Sequence, residues 1–244
     1  MTALDAVAAL RDFFWPRRCE ICGRGCDVPA RHVCSSCRET LPFAGTGGLC
    51  RVCGREVEAL RGEYLCDDCR GPGKPMFDRA GFAMRFEGAA RDLVLGYKFN
   101  ARVWLKDDFC DWLAGMALSR FRTDEIDAVV PMPSSPLHRL GRGFNQCAYL
   151  AEGLSRRIGR PCRNGVVART GNPRRQSGLS EEERRENAAG TFSVCRPHLV
   201  EGCTILVVDD IMTTGATLSE CARALKAAGA KRVWCATLAH STRD

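Results

Sequence analysis

A short apolar run ends in two adjacent carboxylates and passes directly into a threonine- and glycine-rich turn: Val207-Val208-Asp209-Asp210-Ile211-Met212-Thr213-Thr214-Gly215-Ala216-Thr217-Leu218. This segment constrains the fold more than any other. Residues 204–208 are a short, β-branched-rich apolar run, the pattern of a parallel strand covered on both faces. From Ala216 to Ala228 the residues Leu218, Cys221, Ala222, Leu225 and Ala228 recur at helical spacing, and Gly229 stands where a helix end is capped. Between strand and helix, the hydroxyls of Thr213, Thr214 and Thr217 and the bare backbone at Gly215 suit a phosphate at a helix N-terminus. Asp209 and Asp210 would repel a naked polyphosphate. They suit a ligand whose phosphate lies one ribose away, with the carboxylates accepting hydrogen bonds from ring hydroxyls.

The chain has 16 cysteines, and eight of them fall into pairs with one spacing. Cys19-x2-Cys22 and Cys34-x2-Cys37 enclose eleven residues (23–33), whereas Cys50-x2-Cys53 and Cys66-x2-Cys69 enclose twelve (54–65). Paired knuckles present four thiolates to a tetrahedral metal, and a disulfide framework has no reason to repeat this spacing. The two quartets read as a duplicated zinc ribbon with two structural zinc ions, since four cysteines leave no open coordination position. Gly23 and Gly54 each follow a second cysteine, where a tight knuckle wants a residue tolerant of positive φ. Sequential pairing fits the similar separations, and a cross-braced arrangement of alternate knuckles stays open. Cys26 is spare. Cys110, Cys147, Cys162, Cys195, Cys203, Cys221 and Cys235 lack ligand spacing and read as small buried apolar residues in a reducing cytoplasm.

At 244 residues the chain fits one full domain and a small one, and 45% hydrophobic residues suffice for a real core. Residues 1–16 have helical apolar spacing broken by Asp5, Arg11 and Asp12, so they read as an amphipathic helix rather than a signal peptide or transmembrane segment. It either packs on the protein or lies on a membrane surface. The formal net charge of +7 favours anionic partners. Two tetrathiolate zinc sites, each about −2, reduce that excess.

Arg70-Gly71-Pro72-Gly73-Lys74-Pro75 is a stiff linker, which sets the expected organisation: residues 1–16 a helix, 17–73 the double ribbon, 74–244 the main domain. In the main domain, strand patterns at residues 79–86, 127–131, 165–168, 191–195, 204–208 and 232–238 alternate with helical patterns at 88–98, 105–121, 145–158 and 216–228. This predicts an α/β fold with a doubly wound, mostly parallel sheet and a ligand at the strands' carboxyl ends. Pro131-Met132-Pro133-Ser134 and Asp209-Asp210 both fall at such ends.

Asp-Asp, two apolar residues, Thr-Thr-Gly and a further Thr resemble the phosphoribosyl diphosphate (PRPP) motif of type I phosphoribosyltransferases. Arg139-Leu140-Gly141-Arg142-Gly143-Phe144-Asn145-Gln146, together with Arg175-Gln176-Ser177-Gly178-Leu179-Ser180 through Arg184-Arg185-Glu186-Asn187 and Phe192, is similar to signature segments of the ComF competence-protein family. That family joins a zinc ribbon to a type I phosphoribosyltransferase domain, and the resemblance covers essentially the whole chain. Leu95-Gly96-Tyr97-Lys98-Phe99 is similar to the family's Leu-Lys-Tyr stretch in altered order, which leaves Lys98 without an assigned role.

The resemblance implies displacement of diphosphate from PRPP with magnesium present. Asp209 and Asp210 would hold the ribose and offset positive charge. Thr213, Thr214, Gly215, Ala216 and Thr217 would anchor the 5′-phosphate, and Pro131, Met132, Pro133 and Ser134 would form the diphosphate turn. Arg142 and Arg175 would stabilise the leaving group, because a guanidinium holds two phosphate oxygens at once. Asn145 and Gln146 would offer amides or serve the helix start, and residues 170–187 are the candidate hood over the site. Thr213 stands where 6-oxopurine salvage relatives carry an acid, which disfavours purine salvage. Three classes remain: a transferase with an unnamed acceptor, a factor handling single-stranded DNA beside competence-machinery proteins, and a PRPP-binding regulator without turnover. Aromatic residues are 7% of the chain and are not spaced as a base-stacking platform.

Overall fold

The computed structural model describes residues 17–45, 47–57, 64–134, 145–170 and 190–241. The expected helix at 1–16, Arg142, Arg175 and nearly all of the hood candidate lie outside the described residues.

In chain order, the elements are α1 (Ser35–Glu39), α2 (Asp67–Arg70), β1 (Arg79–Arg85), α3 (Gly88–Phe99), α4 (Lys106–Arg120), β2 (Ala128–Pro131), α5 (Gln146–Ile158), β3 (Val167–Arg169), β4 (Phe192–Val194), β5 (Thr204–Met212), α6 (Ala216–Ala227) and β6 (Arg232–His240). Four strands form one sheet in the order β1-β6-β5-β2, and every neighbouring pair is parallel. Parallel strands need crossovers, so the helices cover both faces. Alternation along the strands divides the core. Leu206 and Val208 of β5 pack toward α3, α4 and α5, whereas Ile205 and Val207 pack toward α6 and the β3–β4 pair.

Two expectations are corrected. The strands at 165–168 and 191–195 exist as β3 and β4, but they form a separate antiparallel pair beside α6 rather than extending the main sheet. The motif strand does not end at Val208. Its ladder with β6 continues through Asp209↔Thr237 to Met212↔His240, so both carboxylates stand on a paired strand.

The ribbons cover the free edge of β1, where unpaired backbone groups would otherwise invite association. Ala44 N–H donates to Ala83 O at 2.9 Å, Arg85 N–H to Pro42 O at 2.8 Å, and Ala80 N–H to Val52 O. Ribbon one, with Cys19, Val33, Cys34, Cys37 and Leu41, joins the core layer of α3–α5, and Cys50, Cys53 and Cys69 of ribbon two join the opposite layer. Gly54 has φ +76°, and a Cβ there would lie 2.8 Å from Ala80 O, so the second knuckle approaches β1 closely because it carries no side chain.

Candidate functional site

Each knuckle repeats the same bonds. Cys19 N–H donates to Arg24 O and Gly23 N–H to Cys19 O, as Cys50 N–H does to Arg55 O and Gly54 N–H to Cys50 O. Gly23 and Gly54 have φ of 71° and 76°. The Sγ atoms of Cys19, Cys22, Cys34 and Cys37 lie within 4.8 Å of one another, and so do those of Cys50, Cys53, Cys66 and Cys69. The distance from Cys22 Sγ to Cys34 Sγ is 3.8 Å and from Cys53 Sγ to Cys66 Sγ 3.6 Å. Tetrahedral zinc with bonds of about 2.3 Å needs thiolates about 3.8 Å apart, so the donors fit, and the pairing is sequential rather than cross-braced. The Cys34 and Cys66 amides each point at a first-knuckle sulfur, Cys19 Sγ and Cys50 Sγ, at 3.4 Å.

Asp209 and Asp210 stand at the carboxyl end of β5, flanked by α3 and α5. Asp210 is buried and accepts from Lys98 Nζ at 2.8 Å and from Ile211 N–H at 2.7 Å through Oδ1. Asp209 accepts from the amide of Asp210 at 2.9 Å and from Cys147 Sγ at 3.3 Å. Burial and the Asp210 charge push Asp209 up to about 6, although Lys98 works against this. Burial works to lower Lys98, but Asp210 and Asp209 outweigh it and hold the ammonium above its ordinary value. The Cys147 thiol is held well above its usual value by burial and by the two carboxylates, so it stays protonated and donates.

The Pro131-Met132-Pro133 turn meets this pair directly. Pro131 pairs with Val208 in register, and Met132 N–H donates to Val208 O at 2.8 Å. Ser134 Oγ is buried and has no hydrogen-bond partner among the described residues. The amides of Asn145 and Gln146 are used by the fold instead. Asn145 caps α5 through Cys147 N–H at 3.1 Å and donates to Met132 O at 3.0 Å, and Gln146 Nε2 donates to Lys98 O at 3.1 Å. They hold the turn, α3 and α5 in one arrangement.

Thr213 and Thr214 form the turn before α6, Gly215 is its N-cap at φ 75°, and Thr214 Oγ1 accepts from Ala216 N–H at 3.3 Å. A cavity of about 230 Å³ adjoins residues 213–216 and is walled on its far side by the second ribbon and the linker, including Cys53, Arg55, Cys69 and Lys74. His240, the last residue of β6, also lines it, and burial and the Arg55 charge push its imidazole down to about 4.

Lys98, Cys147, Arg169, Arg55 and His240 were not singled out from sequence as site residues. Arg169 ends β3 with its Nε buried and unpartnered and its guanidinium 5.5 Å from the Phe192 ring centroid, and the Asp209 charge acts on it. Its place just before the Arg-rich 170–187 segment was the available signal. Cys147 is corrected from a plain packing residue to a donor on Asp209. Cys195 is corrected from buried to exposed, and Cys162 and Cys203 are only half-buried.

A phosphoribosyl transferase domain model matches residues 145–244, and a double zinc ribbon model matches residues 10–70. Competence protein F of Haemophilus influenzae is 25% identical over 224 residues, covering 90% of this chain and 95% of that protein. Over most of its length the chain is similar to competence proteins of the ComF type, with a double zinc ribbon followed by a phosphoribosyl transferase domain. Two further relatives are the DNA utilization protein YhgH of Escherichia coli K12, 28% identical over 83% of this chain and 95% of its own, and competence protein ComFC of Bacillus subtilis, 29% identical over 81% and 79%. The two domain matches place the thiolate tetrads in the ribbon region and the acidic pair in the phosphoribosyl transferase region. Among the described residues, no helix is long and apolar enough to cross a membrane.

Proposed function

We propose that this chain binds PRPP with magnesium and transfers its phosphoribosyl group to an acceptor nucleophile, releasing diphosphate. The observation that carries the reading is the pair Asp209 and Asp210 on a paired strand, followed within three residues by a threonine-lined turn at the N-terminus of α6. The acceptor's lone pair forms the new bond at ribose C1 as the C1–O bond to diphosphate breaks, and the acceptor's proton leaves to water or to diphosphate.

Asp209 and Asp210 are placed to accept from the ribose hydroxyls and to offset positive charge on the ring as the leaving group departs. Residues 213–217 hold the 5′-phosphate through backbone N–H groups and hydroxyls, and the positive end of the α6 dipole favours its charge. The 131–134 turn borders the diphosphate with Ser134 Oγ free to donate, and Arg142 and Arg175 are assigned to its oxygens. Magnesium, held by the carboxylates of Asp209 and Asp210, would supply charge neutralisation to the departing diphosphate. The carboxylate oxygens of Asp209 and Asp210 suit such a hard cation, and the protonated Cys147 thiol does not. Zinc in both tetrads is structural, and its thiolates call for a reducing compartment such as the cytoplasm. In this reading residues 17–73 are the ribbon unit and residues 74–244 the transferase unit.

The test is diphosphate release from PRPP and magnesium across a panel of amines and nucleobases, alongside thermal shift with PRPP and magnesium. Loss of the shift in a folded Asp209→Asn, Asp210→Asn variant supports the ribose contacts, and an unchanged shift refutes them. A second reading, contact with single-stranded DNA in concert with competence proteins, is favoured by the names of the relatives and the +7 charge.

A further inference from the structure

The cavity at the start of α6 has a second wall, which the ribbon and the linker supply. Thr214, Gly215 and Ala216 form one side, Arg55 of the second ribbon and Lys74 of the linker the other, and His240 closes it from β6. At about 30 Å³ per water, 230 Å³ holds about eight waters, enough for a phosphate group and part of its hydration.

Two buried polar atoms in this lining have no hydrogen-bond partner, the Nε of Arg55 and the Nδ1 of His240. Orphans of this kind are rare in folded proteins, and both belong to residues that line the cavity. His240 is only 1% exposed, and its ring stacks on Phe82 with centroids 4.9 Å apart, so its orientation is fixed by packing. Arg55 spends one nitrogen on Asp68, with Nη1 2.7 Å from Oδ2. A guanidinium has five N–H donors, so the others stay free for an anion.

The acids in the lining do not cancel this. Glu220 is held by Arg223 at 2.7 and 2.8 Å and by Gly190 N–H at 2.6 Å, and Asp68 is the partner of Arg55. Arg55 and Lys74 also oppose the charge of a zinc tetrathiolate, about −2, at Cys53 and Cys69 in the same lining.

We propose that Arg55 and His240 complete the phosphate subsite at the start of α6, so the second zinc ribbon is a wall of the ligand site and binds the phosphate monoester end of the substrate directly. The proposal rests on the reading of residues 213–217 as the phosphate loop. Arg55 lies two residues from Cys53, so the metal that fixes the knuckle also fixes this contact, and loss of the second zinc releases both.

Isothermal titration of the zinc-loaded full chain with ribose 5-phosphate tests this, with unphosphorylated ribose as the control and two zinc ions per chain as the folding check. Arg55→Gln should weaken binding by about tenfold or more, as loss of a charge-assisted hydrogen bond does, and Asp68→Asn should tighten it by about threefold because it frees the guanidinium. A merely structural Arg55–Asp68 pair predicts the reverse, with both variants weakened alike or neither changed, and either result overturns the proposal. If Arg55→Gln fails to retain zinc, Asp68→Asn decides alone: tighter binding supports the contact, unchanged or weaker binding refutes it. PRPP with magnesium is titrated in parallel. If the unaltered chain binds neither ligand, the phosphate-loop reading falls and this proposal with it; if it binds both and Arg55→Gln binds equally well, only the ribbon's part falls.

Discussion

Lys98 Nζ lies 2.8 Å from Oδ1 of Asp210, a residue 112 positions later in the chain. The contact ties the end of α3 to the carboxyl end of β5 and places one cation against two carboxylates. Lys98 is 26% exposed and Asp210 10%, so solvent screens the pair only partly. Its main effect in the free protein is to make an acidic pair tolerable at the mouth of the sheet.

Lys98→Met should therefore destabilise the free protein by about 1–3 kcal/mol at pH 7.5, because it leaves the carboxylates without their counter-ion. The loss should shrink at pH 5, where Asp209 carries its proton. Urea unfolding at the two pH values checks this, and an equal loss at both would show that packing, not charge, is what Lys98 supplies.

Asp209 should trade stability for ligand. Its carboxyl is pushed up to about 6 from an unfolded value of 3.8, so the native state holds more protons than the unfolded chain between those limits. The stabilisation is complete below about 3.8 and is lost as pH rises through about 6. Asp209→Asn removes that decline and should raise stability at pH 7.5 by about 1–3 kcal/mol, while the thermal shift with PRPP and magnesium disappears. A variant no more stable than the unaltered chain would mean that the Asp209–Asp210 repulsion is already relieved in the fold.

Elemental analysis should find two zinc ions per chain. Cys19→Ser and Cys50→Ser should each lose one, since the tetrads are sequential. Their effects on ribose 5-phosphate should differ: the second tetrad shares a cavity with residues 213–216, whereas the first packs on the α3–α5 layer. Binding should survive Cys19→Ser and fail in Cys50→Ser. Loss of both metals in either variant would show one cooperative ribbon instead of two.

Local pattern made much of this readable. The run from Thr204 to Ala227 declares strand, acidic end, turn and helix because each step has its own residue chemistry, and the four C-x2-C pairs declare the ribbons because thiolate geometry permits little else. What pattern could not show is contact across distance. Tyr97-Lys98 looks like any helix end until β5 arrives beside it, and Arg55 looks like a ribbon surface residue until the second knuckle docks on β1. β3 and β4 had the composition of strands, but three residues each carry no signal for which sheet they join. His240 lay beyond the expected end of its strand, where an imidazole after apolar residues gives no hint of a cavity.

The last expectation concerns single-stranded DNA. Arg139, Arg142, Arg156, Arg157, Arg160, Arg174, Arg175, Arg184 and Arg185 give the main domain a dense run of guanidinium groups. Few aromatics are available for stacking, so any binding must be largely electrostatic, with affinity falling as salt rises because each neutralised phosphate releases counterions. Replacing Arg174, Arg175, Arg184 and Arg185 together by Gln should flatten the log–log salt dependence by about 0.7 per lost phosphate contact and weaken all sequences alike. Fluorescence anisotropy with a labelled oligonucleotide at several salt concentrations measures both. Binding with an unchanged slope would move the contact surface to the ribbon. Absence of binding even at low salt would assign DNA contact to a partner protein and leave the sugar-phosphate site as this chain's own contribution.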